Sequence, residues 1–134
     1  MAANKILIVD DDVDLVEAYK LYLESKGLEV FAAHSAADGL KLLETLRPDL
    51  ISADLMLEHH DSGFSFCNKV RKHPALAKVP LIMLTGVLRE TGMDFSTETR
   101  EERSWIKADE VIAKPVSPQQ FFDIVRRHLA TAHA

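Results

Sequence analysis

Asp10 and Asp11, Asp54, Thr85 and Lys114 each stand where a short apolar run ends. The runs are Ile6-Leu7-Ile8-Val9, Leu50-Ile51-Ser52-Ala53, Leu81-Ile82-Met83-Leu84 and Val111-Ile112-Ala113. Brought together, three carboxylates, a hydroxyl and an ammonium can hold a divalent metal and handle a phosphoryl group. Magnesium prefers hard oxygen ligands, keeps several waters, and binds through one or two carboxylates plus phosphate oxygens. Asp10, Asp11 and Asp54 offer such a donor set. Asp54 is also a candidate nucleophile, because carboxylates form aspartyl-phosphate intermediates. The metal would neutralise charge on the incoming group and lessen its repulsion from the carboxylate. Lys114 would pair with a phosphoryl oxygen as a point charge. Thr85 would donate a hydrogen bond to another oxygen, and Gly86 beside it leaves room for a phosphodonor.

Positioning these groups requires a particular scaffold. Apolar runs this short read as strands buried on both faces, as in a parallel sheet. Such sheets bind ligands outside the carboxyl ends of their strands. The expected strands are residues 5–9, 29–33, 50–53, 81–84 and 111–113. Between the first two, Leu15, Tyr19, Tyr22 and Leu23 recur at helical spacing, and Gly27 suits the helix stop. Ser35 with Asp38 three residues on resembles a capping signal for a second helix, with Ala36, Leu40 and Leu43 on one face. Arg47-Pro48 is expected to end that helix. Residues 58–63 read as a loop. Cys67 and Val70 mark a third helix closed by His73-Pro74. A short helix is expected over residues 97–106. Ser117-Pro118-Gln119-Gln120 opens the last helix with a Ser cap, Pro in the first turn and Gln at the third helical position. Phe121, Val125 and Leu129 form its buried face. Five strands alternating with helices imply an α/β fold, a flavodoxin-like (βα)5 doubly wound parallel sheet of order 2-1-3-4-5.

Bulk properties agree with one domain over residues 1–134. The chain has 134 residues and a net charge of −5, which argues against a general nucleic-acid-binding surface. Cys67 is the only cysteine, so an internal disulfide is impossible and a reducing cytoplasm fits. The N-terminus lacks a signal-peptide layout, and no run reaches the ~18 apolar residues of a membrane span.

Several residues have plainer readings. Asp12 at a strand-to-helix junction reads as an N-cap rather than a metal ligand. Asp14 reads as solvated helix surface. Thr85 or Lys114 alone would be structural, and only their joint placement with the acids makes the set specific. Cys67 reads as a small buried hydrophobe rather than a nucleophile. His59, His60 and Asp61 read as loop residues rather than a transition-metal site. Trp105 is either a partner anchor or a core residue.

The ordered set resembles the response-regulator receiver domain of two-component signalling. Residues 6–11 are similar to that family's acidic-pair strand. The stretch Pro48-Asp49-Leu50-Ile51-Ser52-Ala53-Asp54-Leu55-Met56-Leu57 resembles its phosphoacceptor strand. Pro80 to Gly86 resembles its switch-threonine strand, and Ile112-Ala113-Lys114-Pro115 its lysine segment. The match runs along essentially the whole chain. The resemblance implies Mg²⁺ as cofactor and Asp54 as the residue phosphorylated. It implies Asp10 and Asp11 as metal ligands, the Met56 backbone carbonyl as a further ligand, and Thr85 and Lys114 on the phosphoryl group. It also implies a cis Lys114-Pro115 bond. The implied partners are a sensor histidine kinase or histidine phosphotransfer protein and a downstream protein target, with no direct nucleic-acid or membrane contact and with dimerisation possible. The domain would autocatalyse its own phosphorylation in a phosphorelay rather than turn over a substrate. A new phosphate dianion would recruit Thr85 and Lys114 and bias a two-state surface.

Three departures from the family pattern stand out. Glu58 replaces a usual proline, and Ser62 replaces a usual glycine that here comes one place late, at Gly63, as if one residue were inserted. Val111 replaces the usual switch aromatic. The span from Thr85 to Lys114 is several residues longer than usual, over residues 89–107. Two other function classes are weighed. A haloacid-dehalogenase-like phosphohydrolase would use Asp10-Asp11-Asp12, but Val13-Asp14 follow where that family expects Gly-Thr. A flavodoxin-like binding module would want a Ser/Thr/Gly-rich loop after the first strand, where three acids would repel a phosphate.

Overall fold

The computed structural model describes residues 4–54, 62–85 and 109–132. Five strands, β1 (Lys5–Val9), β2 (Glu29–Ala33), β3 (Leu50–Asp54), β4 (Leu81–Thr85) and β5 (Glu110–Ala113), form one sheet in the order β2-β1-β3-β4-β5. Every neighbouring pair is parallel. The helices among the described residues are α1 (Val13–Ser25), α2 (Ala36–Leu42), α3 (Ser62–Lys72) and α4 (Pro118–Ala132), with a single 3₁₀ turn at Pro74–Leu76. This is the flavodoxin-like order expected from the sequence.

Alternating side chains on each strand face opposite sides, so one sheet builds two cores. Leu7, Val9, Ile51, Ala53, Leu81 and Met83 pack with Leu43, Phe66, Cys67 and Val70 from the α2 and α3 side. Ile6, Ile8, Leu50, Ile82 and Leu84 pack with Val16, Tyr19 and Leu23 of α1 and Phe121, Val125 and Leu129 of α4. Burial on both faces explains why the central strands carry no polar alternation. The register then fixes the sheet's upper edge. Val9 pairs with Ala53, Ala53 with Met83, Asp54 with Leu84, and Thr85 with Ala113. Asp10, Asp54, Thr85 and Lys114 are therefore neighbours along one edge.

Local signals set most boundaries. Asp12 is the N-cap of α1, and its Oδ1 accepts the Leu15 amide at 3.1 Å. Asp14 is exposed in the first turn. After α1 the chain turns at Gly27, whose φ of +90° suits a residue without Cβ. Ser35 caps α2 by accepting the Asp38 amide at 3.0 Å. At α4, Ser117 Oγ accepts the Gln120 amide at 3.1 Å while Gln120 Oε1 accepts the Ser117 amide at 2.9 Å, a reciprocal capping box.

Two boundaries differ from the sequence expectation. Helix α2 ends at Leu42, well before Arg47-Pro48. The amides of Glu44 and Thr45 bond back only three residues, to Lys41 and Leu42, and the Arg47 guanidinium takes the Leu43 carbonyl. The last turn thus tightens and a side chain replaces the continuing helix amides. Helix α3 begins at Ser62, so Ser62 and Gly63 are helical rather than loop. Glycine is tolerated in a first turn, where amides lack intrahelical partners in any case. Residues 58–61, the expected helix at 97–106, Trp105 and the long span 89–107 lie outside the described residues.

Gly39 is the tightest point between α2 and the sheet. A Cβ there would meet Phe66 Cε2 and Val9 Cγ2, each at 3.0 Å. Gly39→Ala gains about 1 kcal/mol of helix propensity but overpacks a buried junction, which costs about 1–3 kcal/mol. A net loss of about 1 kcal/mol is expected, read as a lower urea midpoint at unchanged m.

Candidate functional site

Asp10 is carried just past β1, where its amide bonds the Ala33 carbonyl at 3.0 Å. Its carboxylate is 2 % exposed and has two anchors. Oδ1 accepts the Asp12 amide at 2.9 Å, and Oδ2 accepts the Lys114 ammonium at 3.0 Å. Asp54, the last residue of β3, is 7 % exposed and accepts from the same ammonium at 2.8 Å. Asp11 is exposed at the rim. One carboxylate oxygen from each of Asp10, Asp11 and Asp54 lies within 4.8 Å of the others. The structure thus brings together four of the side chains singled out from the sequence. Thr85 ends β4 beside Ala113, but the placement of its side chain lies outside the described residues, as do Met56 and the histidines at 59 and 60.

The electrostatics follow from burial and crowding. Burial raises the Asp10 carboxyl above its ordinary value, and the Asp54 charge adds to this, while the Asp12 amide and Lys114 oppose it. Asp11 is raised too, first by burial and then by Asp54. For Lys114, burial disfavours the ammonium, yet its bonds and charge pairing with Asp54 and Asp10 win, and its pKa rises. Among the described residues one ammonium, bonded to Asp10 and Asp54, stands beside three acids, leaving a pocket of net negative charge whose donors are all hard oxygens. Such a set suits a divalent cation with water and phosphate oxygens completing its shell. The Lys114-Pro115 bond is cis, as the resemblance implied.

Other residues stand where their chemistry predicts or departs from it. Cys67 is buried, and burial pushes its thiol up to about 12, so it is a core residue rather than a nucleophile. Val111 pairs with Met83 and packs against the core on the α2 and α3 side of the sheet. Sequence reasoning missed His34, whose Nδ1 donates to the Asp10 carbonyl at 3.1 Å, and nothing local signals it. It also treated Tyr19 only as core. A polar tip on a buried ring is a signal that a partner exists, and here the hydroxyl donates to the Val116 carbonyl at 2.6 Å.

Among the described residues no helix is long and apolar enough to cross a membrane. The response regulator receiver domain family matches residues 6–126. The chain is 34% identical to the transcriptional regulatory protein GltR of Pseudomonas aeruginosa over 98% of its own length and 52% of that protein. It is 34% identical to the regulatory protein VanR of Enterococcus faecium over 95% of its own length and 50% of that protein. It therefore spans about half the length of these curated relatives. The chemotaxis response regulator CheY4 of Vibrio cholerae superposes with a TM-score of 0.79 at 26% identity, covering 93% of this chain and 98% of that one. The phosphohydrolase and flavin-binding alternatives are set aside by this match. A parallel sheet of this order, with paired acids after β1, an acid ending β3 and a lysine after β5, places the chain in the response regulator receiver domain family.

Proposed function

We propose that residues 1–134 form one phosphoacceptor domain in which Asp54 takes a phosphoryl group from a phosphohistidine of a sensor kinase or phosphotransfer protein. The observation that carries this reading is the Lys114 ammonium bridging Asp10 and Asp54 beside Asp11. A carboxylate oxygen of Asp54 forms the bond to phosphorus as the phosphorus–nitrogen bond to the donor imidazole breaks, and the imidazole leaves carrying a proton. Lys114 then shifts its hydrogen bond from Asp54 to a phosphoryl oxygen, and Thr85 donates to another. Asp10, Asp11, Asp54 and the Met56 carbonyl are the residues that would hold Mg²⁺. The ion would supply charge neutralisation between the two anions. The domain acts as a switch read by a downstream protein in the cytoplasm, by dimerisation or by a changed protein contact, without direct contact to nucleic acid or membrane.

The test uses acetyl phosphate, whose phosphoryl group moves to Asp54 with release of acetate. Mass spectrometry after incubation with Mg²⁺ is expected to show one added phosphoryl group, lost on treatment with hydroxylamine. Chelation of the metal is expected to prevent the gain. Mg²⁺ alone is expected to raise the melting temperature, because a ligand at a hundredfold its Kd adds about 2.7 kcal/mol to the folded state, and Asp11→Ala is expected to weaken that rise. No mass gain with wild-type protein at saturating Mg²⁺ would overturn the reading.

A further inference from the structure

We propose that Tyr19 is a positioning residue for Lys114: its hydroxyl, reaching from α1 to the Val116 carbonyl, holds the segment after β5 so that the ammonium stays between Asp10 and Asp54. The inference rests on the phosphoacceptor reading of Lys114. Tyr19 lies in the middle of α1 and is fully buried. Phe121, in the first turns of α4, stacks on its ring with centroids 4.4 Å apart and planes 13° from parallel. From this seat Oη donates at 2.6 Å to a carbonyl 97 residues away in the chain. Val116 stands two residues past Lys114 and is itself buried.

The bond matters because, among the described residues, the backbone of the segment has few other hydrogen bonds, its remaining anchors being the Lys114 ion pairs and the packing of Val116 in the apolar core. Pro115 has no amide to donate. The Ser117 amide and hydroxyl are used by Gln120 within the α4 cap. Upstream, Ala113 is the last residue paired with β4. Among the described residues, the Tyr19 hydroxyl is the anchor on the Val116 carbonyl between strand and helix. Burial pushes that phenol up to about 12, so it remains a protonated donor at neutral pH. A phenylalanine would fill the same space and keep the same stack, so apolar packing alone does not call for the hydroxyl. A buried carbonyl that loses its donor must move towards another partner or stay unpaired at a cost. Movement at Val116 is carried to Lys114 through Pro115 alone.

Tyr19→Phe tests this, because it removes the donor and keeps the ring. Beryllofluoride, which stands in for a phosphoryl group on a carboxylate, is titrated at saturating Mg²⁺ and followed by fluorine NMR. Tyr19→Phe is expected to bind it about tenfold more weakly than wild type, with Mg²⁺ affinity measured alone close to wild type. Leu129→Val softens the same apolar core without touching the bond and is expected to bind as wild type. Melting curves confirm that each variant is folded at the temperature used. Wild-type affinity in Tyr19→Phe overturns the proposal, provided that Asp54→Asn has lost binding, and the phosphoacceptor reading then stands. Equal weakening in Leu129→Val also overturns it, since the effect is then general softening. Failure of wild type itself to bind beryllofluoride removes both readings.

Discussion

Asp54→Asn is expected to abolish phosphoryl incorporation from acetyl phosphate while leaving the fold intact. The amide keeps the shape of the carboxylate, and its carbonyl oxygen can still accept from the Lys114 ammonium that lies at 2.8 Å in the wild type. What it loses is the anionic oxygen that forms the bond to phosphorus. Removing a nucleophile lowers a rate by at least about a thousandfold, so mass spectrometry should show no gain above background. Stability should hold or rise, because one oxygen from each of three carboxylates lies within 4.8 Å of the others and one charge of that cluster disappears. The two readouts together exclude a trivial loss by unfolding. Persistent incorporation in this variant would place the phosphoacceptor elsewhere and overturn the assignment of Asp54.

Lys114→Met has the second large effect, and it falls on stability as well as on function. The substitution keeps an apolar stem but strands Asp10 and Asp54, which are buried beside a side chain only 20% exposed. Breaking a buried pair on one side costs about 3–5 kcal/mol, and partial solvent access reduces this to about 2–4 kcal/mol here. The pH dependence has a defined sign. Lys114 has a raised pKa in the folded state, so its contribution is full below the ordinary lysine value of 10.5 and fades as pH rises through the raised value. Asp10 also has a raised pKa, so its charged form opposes folding at neutral pH, and that opposition fades as pH falls through the raised value towards 3.8. The difference between wild type and Lys114→Met should therefore be greatest between the raised Asp10 value and 10.5, and shrink on either side. Added Mg²⁺ should narrow it as well, since the ion supplies the missing positive charge. Urea denaturation across pH, with and without Mg²⁺, checks all three expectations. A constant difference at every pH would show that the lysine stabilises through its stem alone.

Val111 bears on how the phosphoryl event is read. It is a β-branched strand residue opposite Met83, packed into the core on one face of the sheet. A branched side chain with one preferred rotamer in this setting has no ring to swing between two positions. Within the proposed function, the switch therefore does not run through an aromatic rotamer at position 111.

The sequence by itself determined the parts of this protein that depend on near neighbours. Short, mostly apolar runs of three to five residues marked all five strands, because strands buried on both faces cannot carry polar alternation. Asp12, Ser35 and the Ser117–Gln120 pair marked helix starts, because a cap is a bond made within three residues. The acids and the lysine were legible because each ends or closely follows a strand, and a parallel sheet sends such ends to one edge. Tertiary structure alone decided the rest. The early end of α2 came from a guanidinium taking a carbonyl, and the need for glycine at position 39 came from the approach of Phe66 and Val9. The sharing of one ammonium by Asp10 and Asp54, and the reach of Tyr19 to Val116, join residues 60 to 104 positions apart. Periodicity says which face a side chain takes, but distances of this kind are set by the pairing register and by how the helices pack on the sheet.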